Sequence, residues 1–575
     1  MGFAAGEDEK LPERRLAITI KGAISLGAYE AGAIAETLRL IAYNNSQTGA
    51  TPWYIDAACG ASAGSITSAM LAAALVRGDT DVLHRTWVTS VSLAALAPDD
   101  SRMSDNSILD ATALDRLAQQ NLTYPKLANR HPALRPPPSS LKLRFTLSRY
   151  WPEVLSQDTL NQAKLAFHQY KDSADFTVGI TQASGSSVVP VSIATSGVAA
   201  AGYHNPDPAL SGGDAWTALV QTAIASGSFP FAFAPRHLRR WVNDAWVDEY
   251  FSDGGAFDND PIGQTINIAH DIDWAETEEA KQYADIDRRF LMIHVEPFDN
   301  SPPEVIPGNQ PTLDVNPLAL AQKYFPAIIE ESENSGLLGI VGVNAKIAER
   351  SSVLGRLVDL VKGGAGGIPN EVLEALAKYR KLAKDSELPA RLKFFRDHLI
   401  ADLKQSDPAI FQRIQSDLPT AAQQQIFTDL ALAYDLATNL ADKTRLSPIL
   451  ISPAQRLSGS GIYAFGGFLV TQMRERDYAQ GVYDAYQAWK AVANSQRDFS
   501  LDPGSPPTAP ATAAELFPSC QNEYQKGIDR LIARVDRVIA ALSEAATSST
   551  IAGAAMRTVL DAIAKRLLNQ AASGP

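Results

Sequence analysis

A serine flanked by small residues lies in the sequence Gly60-Ala61-Ser62-Ala63-Gly64, which is a G-x-S-x-G pattern. An apolar run at 53–58 precedes it and an alanine-rich stretch follows it up to Gly78, so the pattern predicts a strand, a tight turn and a helix. This arrangement exposes a serine hydroxyl where helix amides and the helix dipole stabilise an oxyanion. The alternative is a turn whose small residues serve packing alone, and the pattern by itself does not decide.

A second glycine-bounded loop, residues 21–32 ("KGAISLGAYEAG"), follows an apolar strand at 16–20 and opens a helix. Because parallel neighbouring strands end at the same edge of a sheet, we expect this loop to meet the Ser62 turn. The amides of Gly22, Ala23 and Ile24 are then candidate oxyanion donors. A phosphate-binding loop is disfavoured, because the chain has neither the G-x-x-x-x-G-K-[ST] pattern nor the G-x-G-x-x-G spacing here.

A serine nucleophile also needs a base. Three histidines follow residue 253: His270, His294 and His398. His294 lies in the middle of a predicted strand, which favours a structural role, and the other two lack a catalytic loop pattern. Asp253 ends an apolar segment and precedes Gly254-Gly255, which permit close approach of another element. Taken alone, however, Asp253 is better interpreted as part of an ordinary Asp-Gly turn.

In their order along the chain, these pieces resemble the patatin-like lipid acyl hydrolases. That family has a glycine-rich loop after the first strand, G-x-S-x-G after the second, and an aspartate in a downstream D-G-[GA] motif followed by an N-x-P-like segment. The matching residues here are the loop 22–27, Ser62, Asp253-Gly254-Gly255, Asn259 and Pro261. Two further segments, 223–235 and 465–485, are similar to blocks of the family, the second to a late segment of bacterial members.

The resemblance implies a serine–aspartate dyad without histidine. Ser62 attacks an ester carbonyl, Asp253 accepts its proton, and the amides of Gly22, Ala23, Ile24 and Ala63 hold the oxyanion. Supporting positions are Gly27, Gly60, Gly64, Gly254, Gly255, Asn259 and Pro261. The implied substrates are lipid esters, phospholipids first, and no metal or cofactor is implied.

The loop departs from the family pattern G-G-G-x-[RK]-G. Ala23 and Ile24 replace two glycines, and Leu26 replaces the cationic residue. Alanine and isoleucine still carry backbone amides, so the oxyanion hole is expected to survive. The charge of the cationic residue is lost, and Lys21 lies on the other side of the loop.

The alternation of strands and helices up to about residue 300 predicts an α/β protein. Together with the resemblance, it implies a three-layer α/β/α patatin-like fold with a mostly parallel central sheet, followed by a largely α-helical C-terminal portion. We expect a catalytic domain at 1–300, a helical extension at 301–500 that packs on it and includes 465–485, and a linker with amphipathic C-terminal helices at 501–575.

Composition restricts the functional classes. The chain of 575 residues is 45% hydrophobic and 20% charged, with a net charge of −13, which predicts a folded protein and disfavours nucleic acid and anionic membranes as partners. The chain shows no signal peptide and no apolar run of about 20 residues, so we expect a cytoplasmic protein or peripheral membrane contact. Cys59 and Cys520 do not predict a disulfide or a metal site. The oligomeric state is not predicted.

Three functions remain open. The leading hypothesis is a serine acyl hydrolase that acts on lipid esters. The second is a non-catalytic lipid-binding or scaffolding protein in which the altered loop marks lost activity; the presence of both Ser62 and Asp253 argues against it. The third is an α/β-hydrolase esterase with a Ser-Asp-His triad, which is disfavoured because Ser62 follows only two predicted strands.

Overall fold

The computed structural model describes residues 13–97, 107–124, 140–158, 164–179, 191–193, 211–230, 232–242, 245–280, 286–297, 317–363, 399–400, 403–404, 407–438, 440, 446–495, 499–502, 504 and 506–546. The chain forms two compact units, Met1–Asn334 with Pro448–Pro575, and Ser335–Ser447. Each unit makes most of its contacts within itself. The expected domains at 1–300, 301–500 and 501–575 stay predictions.

The first unit is built on a mixed sheet. Its strands, within the described residues, are β1 (Glu13–Ile20), β2 (Trp53–Gly60), β3 (Ser140–Asp158), β4 (Lys164–Gly179), β5 (Val191–Ile193), β6 (Arg236–Val242), β7 (Ala245–Ser252), β8 (Ile286–Ile293) and β9 (Ile449–Ile451). The order is β5-β4-β3-β2-β1-β8-β9, and the β6–β7 hairpin joins through β7 to β3. Five strands that are neighbours in the sheet, β3, β2, β1, β8 and β9, pair with one another in parallel. The strands β4, β5, β6 and β7 form antiparallel pairs. The predicted mostly parallel central sheet is confirmed.

Helices are described in both units. They are α1 (Gly27–Ser46), α2 (Ala63–Arg77), α3 (Asp81–His84), α4 (Leu93–Leu96), α5 (Ala111–Asn121), α6 (Gly212–Ser226), α7 (Gly255–Asp258), α8 (Ile262–Ala280), α9 (Pro317–Lys362), α10 (Pro408–Asp417), α11 (Ala421–Ala437), α12 (Gly461–Ala464), α13 (Gly466–Leu469), α14 (Thr471–Ser495) and α15 (Ala513–Ala546). A π-helical turn, Arg85–Ser90, follows α3. The predicted α/β fold with a helical C-terminal part is confirmed.

The two central strands bring both predicted loops to one edge of the sheet. Residues 16–20 of β1 and 55–60 of β2 are buried in unbroken runs, as expected for a sheet covered by helices on both faces. Ile20 pairs with Gly60 at the ends of the two strands. The loop after β1 and the Ser62 turn after β2 are therefore neighbours.

Helices α1 and α14 cross at very short distance within the first unit. A Cβ atom at Gly32 would lie 2.1 Å from the Tyr478 carbonyl oxygen, and one at Gly481 would lie 2.0 Å from the Tyr29 carbonyl oxygen. Further along α14, the Trp489 indole donates to Thr37 Oγ1 at 3.1 Å. The late block 465–485 therefore lies against the helix that follows the first loop.

The second unit has its own apolar core, formed by α9 beyond residue 334 together with α10 and α11. Val358, Ile414 and Phe427 are fully buried in this core. Arg350 forms a bidentate ion pair with Asp435. Over the described residues of the whole chain, no helix is long and apolar enough to cross a membrane.

Candidate active site

Ser62 lies in the tight turn between β2 and α2 with a strained backbone. Its φ of 51° falls in the left-handed region, which costs a non-glycine residue about 1–3 kcal/mol. A Cβ atom at Gly64 would lie 2.4 Å from the Ile20 carbonyl oxygen, and one at Gly60 would lie 2.3 Å from the Gly64 carbonyl oxygen. The two glycines thus allow the turn, and the turn presents Ser62 at the N-terminus of α2.

The Ser62 hydroxyl donates a hydrogen bond to Asp253, with 2.5 Å between Oγ and Oδ2. Asp253 follows β7, and its other carboxylate oxygen accepts from the Gly255 amide at 2.7 Å. Its backbone is also held, because its carbonyl accepts from Ser148 Oγ at 2.6 Å and its amide donates to the Ser228 carbonyl at 3.1 Å. The carboxylate is therefore fixed beside the serine.

The environment of Asp253 gives the carboxylate a basicity that an exposed aspartate lacks. Burial raises the pKa of Asp253 to about 7, although the hydrogen bonds from the Ser62 hydroxyl and the Gly255 amide act in the opposite direction. A carboxylate with a pKa near neutrality accepts a proton from a serine more readily than one at its ordinary value of 3.8. The pair can therefore act as nucleophile and general base.

This pKa leads to a testable pH dependence. Below about pH 7 Asp253 carries a proton and cannot accept one from Ser62, so we expect the rate of serine labelling to fall about tenfold per pH unit in the acidic limb. The measurement is the second-order rate constant for a fluorophosphonate between pH 5 and 9. A rate that stays constant between pH 5.5 and 8 would contradict a base with this pKa.

The first loop and the Ser62 turn carry backbone amides that have no hydrogen-bond partner among the residues that the structure describes. They belong to Ala23, Ile24 and Ala63, and the last two occupy the first positions of their helices, where an amide has no intrahelical acceptor. Ile24 and Ala63 line the same cavity as Ser62. Gly22 lies against Ser62, since a Cβ atom there would be 3.1 Å from Ser62 Cβ. The amide of Gly22, however, donates to the Asn259 carbonyl at 3.0 Å, so it is engaged rather than free.

Ile24 and Leu26, which depart from the glycine-rich pattern, both fit into the first loop. Ile24 adopts a φ of 52°, a left-handed conformation that a β-branched residue rarely takes. Leu26 is buried, and a Cβ atom at Gly459 would lie 2.9 Å from its Cδ2. Lys21, the nearest cation in the sequence, pairs with Glu296 at 2.8 Å. The loop therefore keeps the backbone shape of a glycine-rich turn with bulkier residues.

The predicted supporting residues lie where close approaches occur. Asn259 Oδ1 would be 1.9 Å from a Cβ atom at Gly22 and 2.3 Å from one at Gly255. A Cβ atom at Gly254 would meet the Thr146 carbonyl oxygen at 2.1 Å, and one at Gly27 would meet the Trp87 ring at 2.4 Å. Pro261 accepts the amide of Thr265 at 3.0 Å in the turn that begins α8.

The candidate histidines have other positions. The ring of His294 lies 3.0 Å from a carboxylate oxygen of Asp260, and both side chains are buried. His270 lies on α8, and His398 falls outside the described residues. The described hydrogen-bond partner of the Ser62 hydroxyl is Asp253.

Two residues at the site were missed by sequence reasoning. The Ser62 amide donates to Ser226 Oγ at 3.0 Å, and this oxygen also lies 2.8 Å from Ser65 Oγ. Ser65 in turn donates to the Gly60 carbonyl at 2.7 Å. The hydroxyls of Ser226 and Ser65 therefore hold the backbone of the Ser62 turn in place. Ser226 belongs to the 223–235 block that resembles the family, but the sequence offered no signal for its partner.

Ser62 lies in the wall of an apolar cavity. Its walls come from α2, α5, α6, the π-helical turn and α13, and they include Met70, Trp87, Leu117, Ile224, Phe233 and Phe468. Thr86 adds a buried hydroxyl that has no partner among the described residues. The apolar lining suits an apolar ligand.

A search against protein families matches residues 18–266 to the model of the family described as Patatin-like phospholipase. Residues 18–266, which carry Ser62 in its strand–turn–helix and Asp253 beside it, thus form a patatin-like phospholipase domain. The matched span contains both loops and both side chains of the pair, while β8, β9 and α14 lie beyond it. No curated protein matches the chain.

Proposed function

We propose that the protein is a serine acyl hydrolase that cleaves carboxylic esters of lipids, phospholipids first. The observation that carries this proposal is the 2.5 Å hydrogen bond from a serine in a strained strand–helix turn to a buried aspartate. Membership of the matched domain in the patatin-like phospholipase family supports the substrate class. The apolar cavity that Ser62 lines supports an acyl chain as the group bound beside the nucleophile.

The proposed reaction has two halves. Asp253 accepts the hydroxyl proton of Ser62, whose oxygen attacks the ester carbonyl, and the free amides of Ala23, Ile24 and Ala63 bind the oxyanion. The protonated Asp253 then returns the proton to the leaving alcohol, and the acyl group remains on Ser62. In the second half Asp253 takes a proton from water, whose oxygen attacks the acyl carbonyl. Asp253 then returns the proton to Ser62 Oγ as the bond to the acyl group breaks, and the fatty acid leaves.

An exposed aromatic surface lies around the Asp253 loop. We use this name for five exposed aromatic residues and one exposed valine: Tyr150, Trp151, Tyr170, Tyr250, Phe257 and Val154. Trp151 is 71% exposed and Tyr150 56%. Tyr250 comes three residues before Asp253, and Phe257 on α7 stacks with Tyr170 at 5.8 Å between ring centroids. Tyrosine and tryptophan rings of this kind favour the boundary between lipid and water.

Two described cations beside this surface are paired. Lys171 forms an ion pair with Asp258 at 2.6 Å, and Arg149 with Asp172 at 3.0 Å. The whole chain carries a charge of −13, which disfavours attraction to anionic headgroups. We therefore propose that the aromatic surface contacts a zwitterionic lipid interface, from which the enzyme takes its substrate.

Removing the two most exposed rings tests this contact. We expect the double variant Tyr150→Ala/Trp151→Ala to bind phosphatidylcholine vesicles at least about tenfold more weakly, because it loses apolar area that enters the lipid boundary. Vesicle sedimentation measures the partition, and Leu450→Ala, at the opposite edge of the sheet, is the matched control. Unchanged partition of the double variant would contradict the proposed contact.

Loss of catalytic activity is the competing hypothesis, favoured by Leu26 in place of the family's cationic residue. The two functions separate on the wild-type protein, which should take a fluorophosphonate label and release fatty acid from a panel of phospholipids and neutral acylglycerols. Ser62→Ala should do neither. If wild-type protein and Ser62→Ala behave identically in both assays, the protein is not an acyl hydrolase.

A further inference from the structure

The first loop, which carries the free amides of Ala23 and Ile24, has a backbone conformation that its own residues do not favour. Ile24 holds a φ of 52°, which glycine adopts freely but a β-branched side chain does not. Ala23, just before it, has a φ of −139°, which needs no glycine, so the strain lies at Ile24. Contacts from elsewhere in the chain must therefore keep the loop in this conformation.

Those contacts come from residues 458–469, which we call the clamp segment. The Ser25 hydroxyl, next to Ile24 and fully buried, donates to the carbonyl of Ala464 and accepts from the amide of Gly467 at 3.1 Å. A Cβ atom at Gly467 would lie 2.7 Å from Ser25 Oγ, so the approach requires glycine. Leu26 lies against Gly459 of the same segment.

The clamp segment is itself tied to helix α14 by two buried charges. The Asp477 carboxylate accepts the amides of Ser458 and Gly459 at 2.7 and 2.8 Å. Arg474 donates to the Gly467 carbonyl at 2.7 Å and to the Val88 carbonyl of the π-helical turn at 3.0 Å. Both helices that flank the loop, α1 and α14, meet in the close crossing at Gly32 and Gly481. The loop is therefore braced against a rigid pair of helices.

We propose that Ser25 is a positioning residue through which the clamp segment holds the oxyanion loop in its left-handed conformation at Ile24. This bracing takes the place of the conformational freedom that a glycine at position 24 would supply. The inference rests on the proposed function, since it assigns the loop amides to the oxyanion. It places an essential part of the site about 190 residues beyond the matched family domain.

A double-mutant cycle tests the proposal. Ser25→Ala removes both hydrogen bonds, so Ile24 relaxes and its amide turns away from the oxyanion. We expect the fluorophosphonate labelling rate and kcat for 4-nitrophenyl butyrate to fall about ten- to thirtyfold, with KM within about twofold of wild type. In an Ile24→Gly background the same Ser25→Ala exchange should cost less than about threefold, because glycine holds the conformation unaided.

The controls separate this inference from the proposed function. Ser46→Ala removes an exposed hydroxyl at the far end of α1 and should label at the wild-type rate. If wild-type protein takes no label, the proposed function fails. If wild-type protein labels and Ser25→Ala costs the same factor in both backgrounds, or nothing, the clamp fails. Should Ser25→Ala not fold, Ser25→Cys, with a weaker donor of similar shape, replaces it in the same cycle.

Discussion

Ser62→Ala is expected to abolish fluorophosphonate labelling and to lower kcat for ester hydrolysis by a factor on the order of 10⁵–10⁶. In the proposed mechanism Ser62 supplies the oxygen that forms the acyl-enzyme, and Asp253, which accepts its 2.5 Å hydrogen bond, is the base. Asp253→Asn should lower kcat by about 10⁴ or more, because an amide cannot accept the proton. Both are measured as single-turnover release of 4-nitrophenol, with KM determined separately.

Stability measurements show whether these losses of activity come from lost catalysis or from unfolding. Because burial holds the pKa of Asp253 at about 7 in the folded state, against 3.8 ordinarily, stability falls as pH rises between these values. Above pH 7 the folded protein therefore bears the full cost of the buried carboxylate. At pH 8 we expect Asp253→Asn to unfold at a temperature equal to or higher than wild type, while its activity is lost.

The histidines provide the contrasting variants. In a triad enzyme, replacement of His270, His294 or His398 would remove activity and Asp253→Asn would retain it. Because the ring of His294 lies beside Asp260, we expect His294→Gln to alter stability more than kcat. A loss of kcat in a folded histidine variant, with Asp253→Asn active, would overturn the dyad.

Much of this site could be predicted from the sequence because its signals are local. The G-x-S-x-G pattern between an apolar run and an alanine-rich helix predicted the turn at Ser62, and the ends of two parallel strands predicted that the first loop lies beside it. The position of Asp253 followed only from the resemblance, since its Asp-Gly-Gly turn has an ordinary explanation. In the structure this aspartate comes from a hairpin that joins the sheet through β3.

The remainder depended on contacts that no local pattern encodes. The amide of Gly22 was expected to be free, but the Asn259 carbonyl, 237 positions downstream, accepts it. Ser226 and Ser25 lie in small-residue stretches, and their roles come from partners on other elements. The segment 465–485 was recognised by its likeness to a family block, yet nothing in the sequence indicated that it braces the first loop.

A chain ended at residue 300 is expected not to give a soluble folded protein, although it contains the whole matched family domain. Its missing residues include β9 and the helix α14 that covers α1. Without α14, buried rings such as Trp53, which packs edge-to-face on Trp489 at 5.1 Å between centroids, would be exposed. Expression and circular dichroism of the short chain test this. A soluble short chain with a cooperative unfolding transition would show that α14 is dispensable.

A single substitution tests the contribution of the α1–α14 packing to stability within the full-length chain. A Cβ atom at Gly481 would lie 2.0 Å from the Tyr29 backbone oxygen, so Gly481→Ala must push α14 away from α1. We expect a loss of about 3 kcal/mol or more in the free energy of unfolding, measured by urea denaturation. Gly263→Ala is the matched control, because its Cβ atom meets nothing within 4 Å on α8 and alanine favours a helix. Equal stability of the two variants would mean that the α1–α14 crossing does not hold the first unit together.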